Sequence, residues 1–112
     1  MLPLRLPEGT PLTVLCLGAH CDDIEIGCGG TLLSLQQRHP GTRFEWVVFT
    51  REPGRDQETV RAAAGLLGDG GARVEVLDFR MSYLPYEGAK VKDGFEAIKA
   101  RVQPDLIFTH RL

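Results

Sequence analysis

The chain has 112 residues, 43% of them hydrophobic and 25% charged, with 13 basic and 15 acidic side chains and a formal net charge of −2. That suffices for one domain over residues 1–112 around a single core, and it speaks against nucleic acid, which a basic face would bind. No apolar run approaches the ~20 residues of a bilayer span, and Met1-Leu2-Pro3-Leu4-Arg5 lacks a signal-peptide pattern. Three cysteines do not make a disulfide framework. A cytoplasmic setting is therefore the expectation.

Apolar runs alternate with segments of helical period. Leu12-Thr13-Val14-Leu15-Cys16-Leu17 reads as the first strand, with Cys16 as a small buried apolar residue. Gly29–His39 reads as the first helix, stopped by His39-Pro40-Gly41, with His39 capping its end. Phe44–Phe49 is the second strand, in which Trp46 packs rather than binds. Pro53-Gly54 marks a turn. Val60, Ala63, Ala64 and Leu67 then recur at helical spacing and place a second helix over Asp56–Leu67.

Gly68-Asp69-Gly70-Gly71 ends that helix, and Arg73-Val74-Glu75-Val76-Leu77 alternates as an outer strand would. Asp78 to Gly88 reads as a loop bearing Tyr83 and Tyr86; these could stack on a sugar or simply be exposed loop tyrosines. Val91, Phe95, Ile98 and Val102 mark one face of a third helix, and Leu106-Ile107-Phe108-Thr109 is the fourth strand.

This alternation predicts an α/β fold: a Rossmann-like, mostly parallel sheet. Right-handed crossovers give the strand order 3-2-1-4, with the first two helices on one face and the third alone on the other. The first and fourth strands then adjoin, so His110 lies near the loop at His20–Asp23. The fourth strand keeps an open edge, and self-association into a homo-oligomer is expected there.

His20-Cys21-Asp22-Asp23 follows the first strand directly, and in open α/β sheets chemistry gathers at the carboxyl ends of strands. Imidazole and carboxylate suit Zn²⁺ or another divalent metal, so His20 and Asp23 are candidate ligands and Asp22 a candidate base. Read alone, the aspartate pair serves equally as a helix N-cap or a solvated turn. Gly27-Cys28-Gly29-Gly30-Thr31 permits a tight turn or presents N–H groups to an anion, but it is neither G-x-G-x-x-G nor a P-loop. The spacing of Cys21 and Cys28 matches no common zinc pattern, and both read as small buried residues.

The stretch Ala19-His20-Cys21-Asp22-Asp23-Ile24-Glu25-Ile26-Gly27-Cys28-Gly29-Gly30-Thr31-Leu32 resembles the signature of the PIG-L, or LmbE-like, family of N-acetylglucosaminyl-phosphatidylinositol de-N-acetylases. The likeness continues through Phe49-Thr50, Ala62-Ala63-Ala64, Leu77-Asp78-Phe79 and Pro104-Asp105-Leu106-Ile107-Phe108-Thr109-His110. It implies a zinc-dependent hydrolase that removes an N-acetyl, or N-acyl, group from an amino sugar or glycoconjugate. His20 and Asp23 would be its metal ligands, Asp22 its general base and Arg55, in Arg55–Glu58, a substrate-binding residue. For Arg55 an exposed helix start is an equal account.

Cys21 stands where the family usually has proline. The family's third ligand, in a His-x-Asp-His-like motif, is expected beyond His110-Arg111-Leu112, so the chain resembles the N-terminal part of a longer, truncated deacetylase domain, with weak zinc retention and little activity. His110 matches the strand end near the site. The competing expectation is a non-catalytic α/β fragment that binds metal weakly and associates with a partner.

Overall fold

A computed structural model describes residues 5–80 and 82–110. Residues 1–4, 81 and 111–112 lie outside it, and with them part of the N-terminal stretch read above for a leader. The elements are β1 (Thr13–Gly18), α1 (Asp23–Arg38), β2 (Arg43–Arg51), α2 (Asp56–Leu67), β3 (Ala72–Arg80), a 3-10 turn (Leu84–Tyr86), α3 (Gly88–Arg101) and β4 (Leu106–Phe108). All strand pairs are parallel, in the order β3-β2-β1-β4 that the alternation predicts.

β2 lies inside the sheet, and every residue from Phe44 to Thr50 is buried, as a strand covered on both faces requires. On one face Val14, Cys16, Phe44, Trp46 and Val48 pack against Ile24, Leu32 and Leu35 of α1 and Ala63 and Leu67 of α2. On the other, Leu15, Val47 and Phe49 meet Ile98 and Val102 at the end of α3. The two-plus-one placement of helices is therefore as the sequence implies. Trp46 is 0% exposed and belongs to the core.

Glu45 is buried on β2, and a buried carboxylate needs partners. Arg43, Arg73 and Arg101 supply them at 3.8, 3.2 and 3.5 Å. Asp105 ties β4 to β1 twice: its carboxylate accepts the Thr13 N–H at 2.8 Å and its own N–H donates to the Thr13 carbonyl at 2.8 Å. No helix among the described residues is long and apolar enough to cross a membrane.

Three local expectations need correction. α1 begins at Asp23, not Gly29, because it is two helical pieces joined across Cys28, whose φ of −144° and ψ of 15° are not helical. Flanking glycines make such a break inexpensive, and the apolar period seen in the sequence belongs to the second piece alone. β3 runs on to Arg80 rather than stopping at Leu77. A register shift between Val48 and Thr50 on β2 lets pairing resume at Thr50–Phe79 and Arg51–Arg80. Cys21 and Cys28 are half-buried rather than buried; the Cys28 thiol donates to the Ile24 carbonyl at 3.4 Å.

Candidate functional site

β1 ends at Gly18, and the chain must turn at once to start α1 at Asp23. A Cβ on Gly18 would stand 3.1 Å from Ile24 Cγ1 and 3.3 Å from Asp23 Cβ, closer than side chains normally pack, so glycine permits this turn. The turn closes on itself. The Asp23 N–H donates to the His20 carbonyl at 3.2 Å, and Asp23 Oδ2 accepts the His20 N–H at 2.8 Å. The aspartate side chain is thus fixed by the backbone of the residue three positions before it.

The preceding peptide is clamped from both neighbouring strands. Thr50, buried at the end of β2, directs its N–H and its hydroxyl onto the Ala19 carbonyl at 3.0 and 2.7 Å. The Ala19 N–H donates to His110 Nε2 at 2.9 Å, beyond the end of β4. Sequence reasoning reached His110 through topology but assigned Thr50 no role; its signal was a polar residue closing an otherwise apolar strand.

These links bring His20, Asp23 and His110 together. His20 Nδ1 lies 3.4 Å from Asp23 Oδ2, and His110 Nε2 lies 3.2 Å from the same oxygen. Nε2 of His110 carries either a hydrogen for Asp23 or a lone pair for the Ala19 N–H, and serves one of them at a time. Two donors bound at zinc distances and tetrahedral angles lie about 3.4 Å apart, so each contact has the length of one edge of such a site. Among the described residues, however, no group of three or more His, Cys, Asp or Glu side chains is arranged to hold a metal ion. The arrangement is two pairs sharing one carboxylate oxygen.

Asp22 is the N-cap residue of α1, yet its side chain makes no capping hydrogen bond and is exposed. The capping account of the aspartate pair therefore fails for Asp22, and its carboxylate remains available to solvent. Glu25, in the first turn of the helix, has a buried Oε1 with no hydrogen-bond partner. Burial pushes its carboxyl up, and Asp22 and Asp23 add to this against a backbone hydrogen bond that lowers it. Three carboxylates at one strand tip, one of them with an unsatisfied buried oxygen, favour a cation beside them. Donor chemistry and spacing thus fit a divalent metal held by His20 and Asp23.

Burial pushes the Cys28 thiol up, and it pushes Cys21 up against the opposing charge of Arg55, so without a metal both rest as thiols. Among the described residues neither joins His20 and Asp23 in a group of three donors. The Cys21 thiol feels Arg55, Glu52, Asp22 and Glu58, which places the β2–α2 loop beside the strand-end turn. Arg55 heads α2 between two carboxylates, Glu58 at 2.9 Å and Glu52 at 2.5 Å, and these raise its pKa in that order. It is thus both a helix start and a cation beside the site, with Glu52 a partner the sequence did not reveal. Tyr83 is engaged elsewhere, its ring 4.0 Å below the Arg80 guanidinium, and Tyr86 is exposed.

The family model described as PIG-L: GlcNAc-PI de-N-acetylase matches residues 15–112, which include the turn, both clamps and β4. No curated protein and no solved structure matches the chain.

Proposed function

Since the chain belongs to the PIG-L family, a family of deacetylase-type hydrolases, we propose that it carries the β1-end part of a zinc-dependent site that removes an N-acetyl, or N-acyl, group from an amino sugar or glycoconjugate. The observation that carries this reading is the convergence of His20 Nδ1 and His110 Nε2 on one oxygen of Asp23, with Asp22 exposed alongside.

His20 and Asp23 would hold the metal. When bound, zinc acidifies water and polarises an amide carbonyl. Asp22, fixed at the helix start but with its carboxylate unspent, takes a proton from the attacking water. The water oxygen bonds to the amide carbon, the C–N bond breaks, and the proton passes to the leaving nitrogen, giving the carboxylate of the acyl group and a free amino sugar. Arg55 flanks the turn on the α2 side, where a polar substrate would lie. The His20 N–H and the Ala19 clamp hold the turn in place while this happens.

The test separates holding metal from moving the proton. Zinc titration should show uptake by the chain that Asp23→Ala abolishes and Asp22→Asn leaves intact. Hydrolysis of N-acetylglucosamine conjugates should fall about 100-fold or more in Asp22→Asn. Turnover indifferent to both zinc removal and Asp22→Asn would overturn the reading. The lack of a three-donor group among the described residues favours one rival, a non-catalytic α/β module that binds metal weakly; zinc uptake unchanged by Asp23→Ala, with no turnover, is its signature.

A further inference from the structure

Beside the reactive turn, on the α3 face of the sheet, lies a cavity of about 370 Å³. Phe49, Leu84, Val91 and Phe95 form its walls, and Ala19 and His110 belong to its lining too. The walls offer almost nothing to a sugar hydroxyl. A polar group placed there without partners would lose free energy, whereas an alkyl chain would gain it. Phe95 is a phenylalanine on a surface helix left 43% exposed, its ring 4.9 Å from that of Phe49. Apolar area of this kind at the mouth of a cavity suits an apolar ligand.

The opposite side of the same turn is polar. Arg55, Glu52 and Glu58 stand there at the start of α2, near Cys21 and Asp22. The site is therefore two-sided, with Asp23 and His110 at the junction. An N-acylated amino sugar has the same construction, a polar ring and an apolar chain joined at the amide to be cut. From this geometry we infer that the substrate is an amino sugar whose N-acyl chain is longer than acetyl, with the chain seated among Phe49, Leu84, Val91 and Phe95. The inference rests on the deacylase reading above and specifies its substrate class. The space is open to solvent, and its volume of about 370 Å³ has room for a six-carbon chain, which would cover more of the apolar wall than a single methyl group does.

Binding and turnover test this separately. N-acetyl-, N-butyryl- and N-hexanoylglucosamine are titrated into the chain while the methyl NMR signals of Leu84 and Val91 are followed. Affinity should rise about fourfold per added methylene, with both methyl signals shifting. Val91→Trp, which fills the cavity, should remove the dependence on chain length. With zinc present, kcat/KM should rise in the same order in the wild-type chain and should lose that order in Val91→Trp.

Equal affinity and equal kcat/KM across the series overturn the inference, as do methyl signals that stay still. Should Val91→Trp not fold, the wild-type series decides alone. Chain-length-dependent binding with residual hydrolysis indifferent to zinc removal and to Asp22→Asn refutes the deacylase reading and leaves the acyl pocket standing. Acetyl hydrolysis without chain-length dependence does the reverse.

Discussion

Thr50→Val is the most direct probe of how the site is held. The substitution keeps the shape of a side chain that is buried at the end of β2 and removes one of the two donors on the Ala19 carbonyl, the hydroxyl at 2.7 Å. The backbone N–H of residue 50 remains on that carbonyl at 3.0 Å, so the oxygen is not orphaned and the full desolvation penalty does not apply. The loss is then that of one hydrogen bond, about 1 kcal/mol. For a domain of this size that corresponds to roughly 4 °C in Tm. Ala19 immediately precedes His20, and its N–H holds His110, so the looser clamp also loosens both imidazoles relative to Asp23. Zinc affinity should fall by about tenfold, the lower end of what supporting residues contribute around metal sites. Thermal unfolding and zinc titration of the same preparations are the assay. A variant with unaltered Tm and unaltered zinc affinity would refute the argument that this hydroxyl positions the turn. A drop in Tm with unchanged zinc affinity would confine its role to the fold.

Gly18→Ala places a Cβ 3.1 Å from Ile24 Cγ1 and 3.3 Å from Asp23 Cβ, and should destabilise the chain by about 1–3 kcal/mol in urea unfolding; an unchanged midpoint would mean the turn has slack. Trp46→Ala removes a side chain that is 0% exposed from the larger core and should cost about 3–5 kcal/mol, visible as a chain largely unfolded in circular dichroism at 37 °C. Burial, with a smaller contribution from Cys28, pushes the Cys16 thiol from its ordinary 9.0 up to about 12. The folded core accepts only the protonated thiol, so this stability is whole below about pH 9 and is lost as pH rises toward 12. Between pH 9 and 10 the loss is about 1 kcal/mol. Denaturation midpoints should therefore fall more steeply over that interval in the wild-type chain than in Cys16→Ala; parallel slopes would show that the thiol does not titrate through the fold.

The parts of the molecule legible in the sequence are those written in local pattern. Val14, Cys16, Trp46 and Val48 alternate or run together because their strands are covered on both faces, so strand identity and order follow. Val60, Ala63 and Leu67 repeat at helical spacing, and α2 has the bounds that spacing predicts. The first helical piece, Asp23 to Gly27, was not legible because one and a half turns carry too few apolar positions to show a period. The extension of β3 to Arg80 depends on a shifted register in β2, a property of the pair rather than of either strand. At the site, His110 could be placed because neighbouring parallel strands deliver their ends to one place. The Thr50 clamp and the cavity beneath Phe95 arise from contacts between distant residues, and no spacing rule encodes them.

β4 is the shortest strand, three residues paired to β1 at Val14–Leu106, Leu15–Ile107 and Cys16–Phe108, and its outer side carries Ile107 half in water. Short, one-sided strands open at lower free energy than the rest of a sheet. Each such excursion would draw His110 away from Asp23 and release the Ala19 N–H, dismantling the cluster while β1, β2 and α1 stay folded. Amide exchange at Ile107 and Ala19 should then proceed at matched rates, faster than at Val47. The chemistry at the tip of β1 would switch on and off with the breathing of the sheet's least anchored member.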